Sequence, residues 1–221
     1  MTTTSKTSKA VPSKIADELR SMIARGTLSP GMRLGQTDLA TQFDASRVPV
    51  REALKLLSSE GLVEHDPNRG FFVTRLSRDE AEQLFTLRTL VEEELMKTIA
   101  WPDDVGIAEL IRSNERLEDL LDKGDRQAWW IEHRAFHASI FDLSPQKIIM
   151  REAMRLWALT DRYRALLPLP RRPSEERKVV NKNDLIEALR AQDRAQLIAS
   201  RRERRETFEQ LVLETLEERG L

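Results

Sequence analysis

From position 46 to 63 the chain reads SRVPVREALKLLSSEGLV, and this stretch constrains the fold more than any other. Val50, Ala53, Leu54 and Leu57 recur at helical spacing, so one face of a helix must be buried. Arg47, Arg51 and Lys55 recur every four residues along another side and form a stripe of cations. Ser46 is a good N-cap, and Pro49 falls in the first turn, where its missing N–H breaks no hydrogen bond. Gly61 ends the helix. A helix built this way lies against a core on one side and shows its charge to the outside.

The flanking residues supply that core. Ile15, Leu19, Met22 and Ile23 predict a first helix over about 12–25, with Pro12 in its first turn and Gly26 at its end. The segment LSPGMRL predicts a turn, and Leu39, Ala40 and Phe43 predict a short second helix over about 36–43. After Gly61, LVEH, DPNRG and FFVTRL predict two short strands around a turn. Three short helices followed by a two-stranded flap make a winged helix-turn-helix. A basic stripe on a helix is, by itself, more often a solvated face. Its place on the third helix, after a short partner and a tight turn, favours a nucleic-acid surface instead. There the helix start, with Ser46, Arg47, Arg51 and Lys55, enters a major groove, its arginines reaching guanine edges or phosphates. His65, Arg69 and the backbone at Gly70 would reach the flanking phosphates or the minor groove.

The run GMRLGQTDLATQFDASRVPVREALKLLSSEGLVEHDPNRGFFV resembles the winged-helix domain of GntR-type bacterial transcription regulators, over about residues 12–75. The resemblance implies that Arg47 and Arg51 are the principal DNA contacts. It also implies that Thr37 touches phosphate and that the wing tip enters the minor groove. Asp44 departs from the pattern: it stands at the helix–helix turn, where the family usually has Gly.

Residues 76–221 read as helix throughout. Ser77 and Glu80 form a capping box before a helix running to about Ala100. Further helices are expected at about 104–123, 125–142, 146–167, 174–191 and 193–219, which fits one antiparallel bundle. The expected fold class is therefore mainly α, an N-terminal winged helix-turn-helix followed by an all-α antiparallel bundle. Residues 1–11, rich in Thr, Ser and Lys, are expected to be a disordered tail. The segments LFTLRTLVEEELMKTIA, HRAFHASIF and DLIEALRAQDRAQL resemble the effector-binding and dimerisation domain of the FadR-like branch, the FCD or VanR groups.

Four bundle helices carry basic or imidazole groups in register with apolar residues: Arg88; His133 with His137; Lys182; and Arg204. A buried cation needs a partner. Two readings stand. Internal carboxylates pair the charges, with Glu92 one turn from Arg88; or the groups line a polar cavity that holds an anionic ligand. Many FCD regulators that resemble this chain bind a metal through one Asp and three His. Here the Asp position holds His133, the first His is His137, and the other two positions hold Lys182 and Arg204. With three histidines in the chain and His65 in the wing, a three-histidine centre cannot form in the bundle, and the family's metal site reads as lost. No cofactor is expected. Lys182 and Arg204 would hold an anion in the metal's place.

Composition narrows the classes. There is no cysteine, hence no disulfide framework and no thiolate chemistry. MTTTSKTSKA is not a signal peptide, and no apolar run spans a bilayer, so a cytoplasmic protein without membrane contact is expected. Residues 1–75 hold 11 Lys and Arg against 8 Asp and Glu, and residues 76–221 hold 25 against 29; the asymmetry is too mild to identify a nucleic-acid binder unaided. No P-loop, GxGxxG or nucleophile motif is present, and no enzyme is expected. The expected function is a homodimeric transcription regulator, a repressor, on a palindromic double-stranded DNA operator. A small organic acid or similar anion bound in the bundle would control it. The rivals are a regulator without an effector, and an enzyme using His133 and His137 on the bundle.

Overall fold

The computed structural model describes residues 11–167 and 182–221. The expected tail, apart from Val11, and residues 174–181 of the fifth expected bundle helix lie outside them. The described elements are α1 (Val11–Ala24), β1 (Arg33–Leu34), α2 (Gln36–Gln42), α3 (Arg47–Ser59), β2 (Val63–Asp66) and β3 (Gly70–Val73), followed by six helices. These are α4 (Arg78–Thr98), α5 (Asp104–Lys123), α6 (Arg126–Asp142), α7 (Lys147–Arg164), α8 (Asn183–Arg190) and α9 (Arg194–Glu218). The fold is mainly α, a winged helix-turn-helix and then an all-α region. The described residues form two compact units: 11–77 together with Ala158–Leu166, and Arg78–Trp157 together with Leu167 and residues 182–221.

In the first unit α1 packs along α3. Leu19 of α1 and Val50, Ala53, Leu54 and Leu57 of α3 are fully buried, as the apolar spacing requires. Arg20 ties α1 to the end of α3, donating from Nε and Nη2 to Glu60 at 3.0 and 2.8 Å. The sheet has three antiparallel strands in the order β1-β3-β2, one more than expected. β1 is two residues long, too short to show a period of two in sequence. Phe71 and Val73 turn inward from β3, while Phe72 between them is half-exposed. From α7, Leu159 sits 3.4 Å from where a Cβ on Gly61 would lie, and the Tyr163 hydroxyl donates to the Ser77 carbonyl at 3.2 Å.

In the second unit α4 packs on α9, α5 on α6 and α8, and α8 on α9. Aspartates start three helices: Asp103 accepts from Gly106 N at 2.8 Å, Asp125 from Ala128 N at 3.0 Å and Asp193 from Gln196 N at 2.9 Å. The far end of α4 is closed by Arg194, which donates to the carbonyls of Met96 and Ile99 at 2.7 and 3.2 Å. The core gathers Leu95, Leu117, Phe136, Phe141, Trp157 and Leu197.

The turn between α2 and α3 bears out the oddity at Asp44. Its φ is 46°, the left-handed region that glycine favours and that Asp tolerates better than most residues. The turn is tight, with Ala45 N donating to Ala40 O at 2.9 Å. A β-branched residue fits that conformation badly. Asp44→Val should therefore cost roughly 1–2 kcal/mol of stability, and Asp44→Gly should not. Urea denaturation of the two variants beside the wild type measures the difference.

Candidate nucleic-acid interface and buried charge cluster

Burial of one side of α3 forces the other side outward. Ser46, Arg47, Arg51 and Lys55 are all exposed. Ser46 holds the N-cap position in an extended conformation, but its hydroxyl makes no capping hydrogen bond. Among the described residues none of Arg33, Arg47, Arg51 or Lys55 forms an ion pair, whereas Arg20 and Arg25 of the same unit do. Unpaired cations with no structural task are available to an outside anion.

The residues expected at the interface fall into two neighbouring places. Thr37 of α2, Arg47 of α3 and Gly70 of β3 line one open groove of about 560 Å³. Arg33 of β1 and Gln36 line it too, and sequence spacing gave no sign of either; Asp38 adds one carboxylate. A Cβ on Gly35, which also lines the groove, would meet the Asp38 carboxylate, so a side chain there would require that carboxylate to turn aside. His65 and Arg69 line a second depression on the wing with Glu64, Asp66 and Arg75. Asp66 shapes the wing tip by accepting from the backbone of Asn68 and Arg69 at 2.8 and 3.0 Å. Gly70 follows at φ 97°, with open space around its α-carbon. Arg69 lies 5.3 Å over the Phe72 ring, and His65 stacks on Phe71 at 4.4 Å.

The second unit hides its charge. Glu92 of α4 has no exposed surface. Its Oε1 accepts from Arg88 Nε and Nη2 at 3.0 and 2.9 Å and from Trp157 Nε1 at 2.6 Å. Its Oε2 lies 2.7 Å from Arg201 Nη2 and 4.0 Å from Arg205 Nη1. Burial alone would raise the Glu92 carboxyl, but the Arg201 and Arg88 guanidiniums and the Arg88 hydrogen bond hold it below the usual carboxylate range. Burial brings Arg201 down to about 10, against the pull of Glu92. It raises Glu209, whose Oε1 lies 3.3 Å from Arg205 Nε.

Trp157 joins this cluster to the histidines. His133 and His137 are buried, 4.8 Å apart between ring centres, and their centres lie 5.6 and 5.0 Å from that of Trp157. Arg88 and Arg201 approach the same indole at 4.6 and 5.5 Å. The structure thus brings Arg88, His133 and His137 around one tryptophan. Arg204 does not join them: it pairs with Asp184 of α8 through both Nε and Nη2. The inward residues of α9 are Leu197, Arg201, Arg205, Phe208 and Val212, while Leu211 is exposed. The spacing of Arg204 from Leu197, Phe208 and Leu211 does not fix the register of α9, because SRRERRET offers no apolar residue to choose among its arginines. Lys182 is buried, yet it is the N-cap of α8, its backbone N–H donating to Asn114 Oδ1 at 3.0 Å.

Residues 12–73 match the model of the bacterial regulatory proteins of the gntR family, and residues 83–204 match the FCD domain. The chain belongs to the gntR family, with an FCD domain. It is 31% identical over 130 residues to the HTH-type transcriptional regulator YdhC of Bacillus subtilis, covering 58% of this chain and 58% of that protein. It is 29% identical over 189 residues to McbR of Escherichia coli, covering 82% of this chain and 83% of McbR. The solved structure of E. coli McbR/YncC has the same fold, with a TM-score of 0.77, 24% identity and coverage of 92% of this chain and 97% of that one.

The FCD resemblance raises the question of a metal, and the donor set among the described residues does not fit one. Among the described residues no three His, Cys, Asp or Glu side chains are grouped so as to hold an ion. The two imidazoles share their indole with two guanidiniums, which repel a divalent cation.

Removing Glu92 leaves three buried arginines short of their shared carboxylate. Glu92→Ala should lose about 3–5 kcal/mol of stability, read by urea denaturation. A depressed carboxyl contributes stability that is complete above its unfolded value, about pH 4.3, and is lost as pH falls through the lower folded value. Glu92→Gln should therefore show a shallower loss of stability on the acid side than the wild type.

Proposed function

We propose that this gntR-family chain is a sequence-specific regulator of transcription that binds a palindromic double-stranded DNA operator as a homodimer. The observation that carries the reading is the outward face of α3, where Arg47, Arg51 and Lys55 are exposed and free of carboxylates among the described residues. With Arg33, Thr37 and Gly70 beside Arg47 in one groove, the helix start and the wing offer two cations, a hydroxyl and exposed backbone to a phosphate chain. Among the described residues no helix is long and apolar enough to cross a membrane, which suits a partner in solution. For the second copy, Leu87 and Leu90 stand exposed one turn apart on α4.

A small anion, an organic acid or similar, controls the DNA affinity from the bundle, and its binding relieves repression. Arg201 Nε, Arg205 Nε and Nη1 and Trp129 Nε1 are buried donors with no hydrogen-bond partner among the described residues. A carboxylate or phosphate is the group that would satisfy such donors. An effector acts by binding one arrangement of the dimer more tightly than the other. A second reading, a regulator without effector, draws on the internal pairing of Arg88 with Glu92 and Arg204 with Asp184.

Arg51→Ala should weaken binding to a selected operator by roughly 1–3 kcal/mol and relax its sequence preference, measured by fluorescence anisotropy. Unchanged affinity removes Arg51 from the contacts. Leu90→Glu should shift the light-scattering mass from dimer to monomer. In a thermal-shift panel of organic acids, at least one should raise the melting temperature of the wild type and not of Arg201→Met. A flat panel favours the effector-free regulator.

A further inference from the structure

Val48 is 66% exposed, one of the most exposed large apolar side chains among the described residues. It sits on α3 between Arg47 and Pro49, one residue into the helix. Leu57, nine residues on, is fully buried, and nine residues turn an α-helix by about 900°, which leaves the two on opposite sides. Val48 therefore marks the centre of the face turned away from the core. Nothing in the fold of this unit needs an apolar group there, because Val50, Ala53, Leu54 and Leu57 already supply the buried stripe.

Its surroundings define what it can meet. Arg47 and Arg51 lie to one side of it and Lys55 follows two turns on, all exposed and without carboxylate partners among the described residues; on its other side stands a single exposed carboxylate, Glu52, so cations outnumber it three to one. The partner of such a face is a polyanion, and no uncharged apolar surface would be drawn to it. Resting on the DNA-binding reading above, we propose that Val48 reads a thymine. In the major groove the thymine C5-methyl is the apolar feature of the base-pair edges, and a side chain without polar atoms recognises it by contact alone. Valine suits the task for a second reason. A β-branched side chain in a helix is held to essentially one rotamer, so little freedom is lost when it docks. Arg51 and Val48 then divide the work on one turn of α3: the guanidinium donates to base or phosphate oxygens, and the isopropyl group excludes water from a methyl.

The test uses the full-length protein and a duplex that it selects from a random pool. Each thymine of that duplex is replaced singly by deoxyuridine, which removes the methyl and nothing else. Affinities of the wild type and of Val48→Ala are read by anisotropy, with thermal melting to confirm that the variant is folded. At one thymine in each half-site, uracil should weaken the wild type by about fourfold, the effect of one buried methyl. Val48→Ala should bind the thymine duplex weaker by a similar factor and be indifferent to uracil at that position. If Val48→Ala keeps the wild-type sensitivity at every thymine, or if the wild type ignores every replacement, the proposal is overturned. Failure of the wild type to select any sequence would instead sink the DNA-binding reading itself, and this proposal with it.

Discussion

The first unit depends on the burial of a single apolar stripe. Val50, Ala53, Leu54 and Leu57 lose all contact with solvent, and no other rotation of α3 achieves that. Each buried aliphatic side chain contributes on the order of 1.5–3 kcal/mol, so turning the helix by even a third of a revolution would forfeit most of the unit's stability. Once the stripe is docked on α1, the positions of Ser46, Arg47, Val48, Arg51 and Lys55 are no longer free. The exposed cationic face is a consequence of the core. It needs no interactions of its own to hold it in place, which is why its cations can remain unpaired.

The second unit uses arginine in the opposite way. Arg88, Arg201 and Arg205 are withdrawn from water, where an isolated guanidinium is strongly disfavoured, and Glu92 makes their burial tolerable. One carboxylate serving three guanidiniums and an indole N–H is heavily committed, and α4, α7 and α9 are held together through it. A hub of this kind does little for net stability compared with a well-packed apolar core. What it provides is a set of directional donors fixed at the middle of the bundle, beside two histidines.

Much of this was legible in the sequence, and the exceptions have physical reasons. The boundaries of α3 were readable because Pro49 and Gly61 act locally. The α3 face was readable because four apolar residues over two turns leave only one orientation. Arg88, His133 and His137 were placed correctly inside because apolar neighbours flank them on the same stripe. Arg204 was misplaced because its helix carries six charged residues in a row, Arg201 to Glu206, without an apolar marker among them, so that Arg201 and Arg205 could not be told from it. Arg33 and Trp157 were invisible for a different reason. Their roles come from elements that meet only in three dimensions: β1 against β3, and α7 against α4.

The contrast between the two units also bears on how an anion could be sensed without a metal. A metal ion presents concentrated charge that can be lost or exchanged, and its affinity depends on deprotonated ligands. A guanidinium is permanently charged and cannot leave. A centre built from Arg88, Arg201 and Arg205 is therefore always armed, and its resting state must contain an internal counter-ion. Glu92 is that group, and against the opposing effect of burial the Arg201 and Arg88 guanidiniums hold its carboxyl below the usual range. An incoming carboxylate would have to compete with Glu92 for the same donors or use those that Glu92 leaves over, Arg205 Nε and Nη1 and Arg201 Nε. The second route would be the less costly, because it would leave the hydrogen bonds of Glu92 in place; it would put an anion's charge on α9, between Arg201 and Arg205, where Glu209 already lies 3.3 Å from Arg205 Nε.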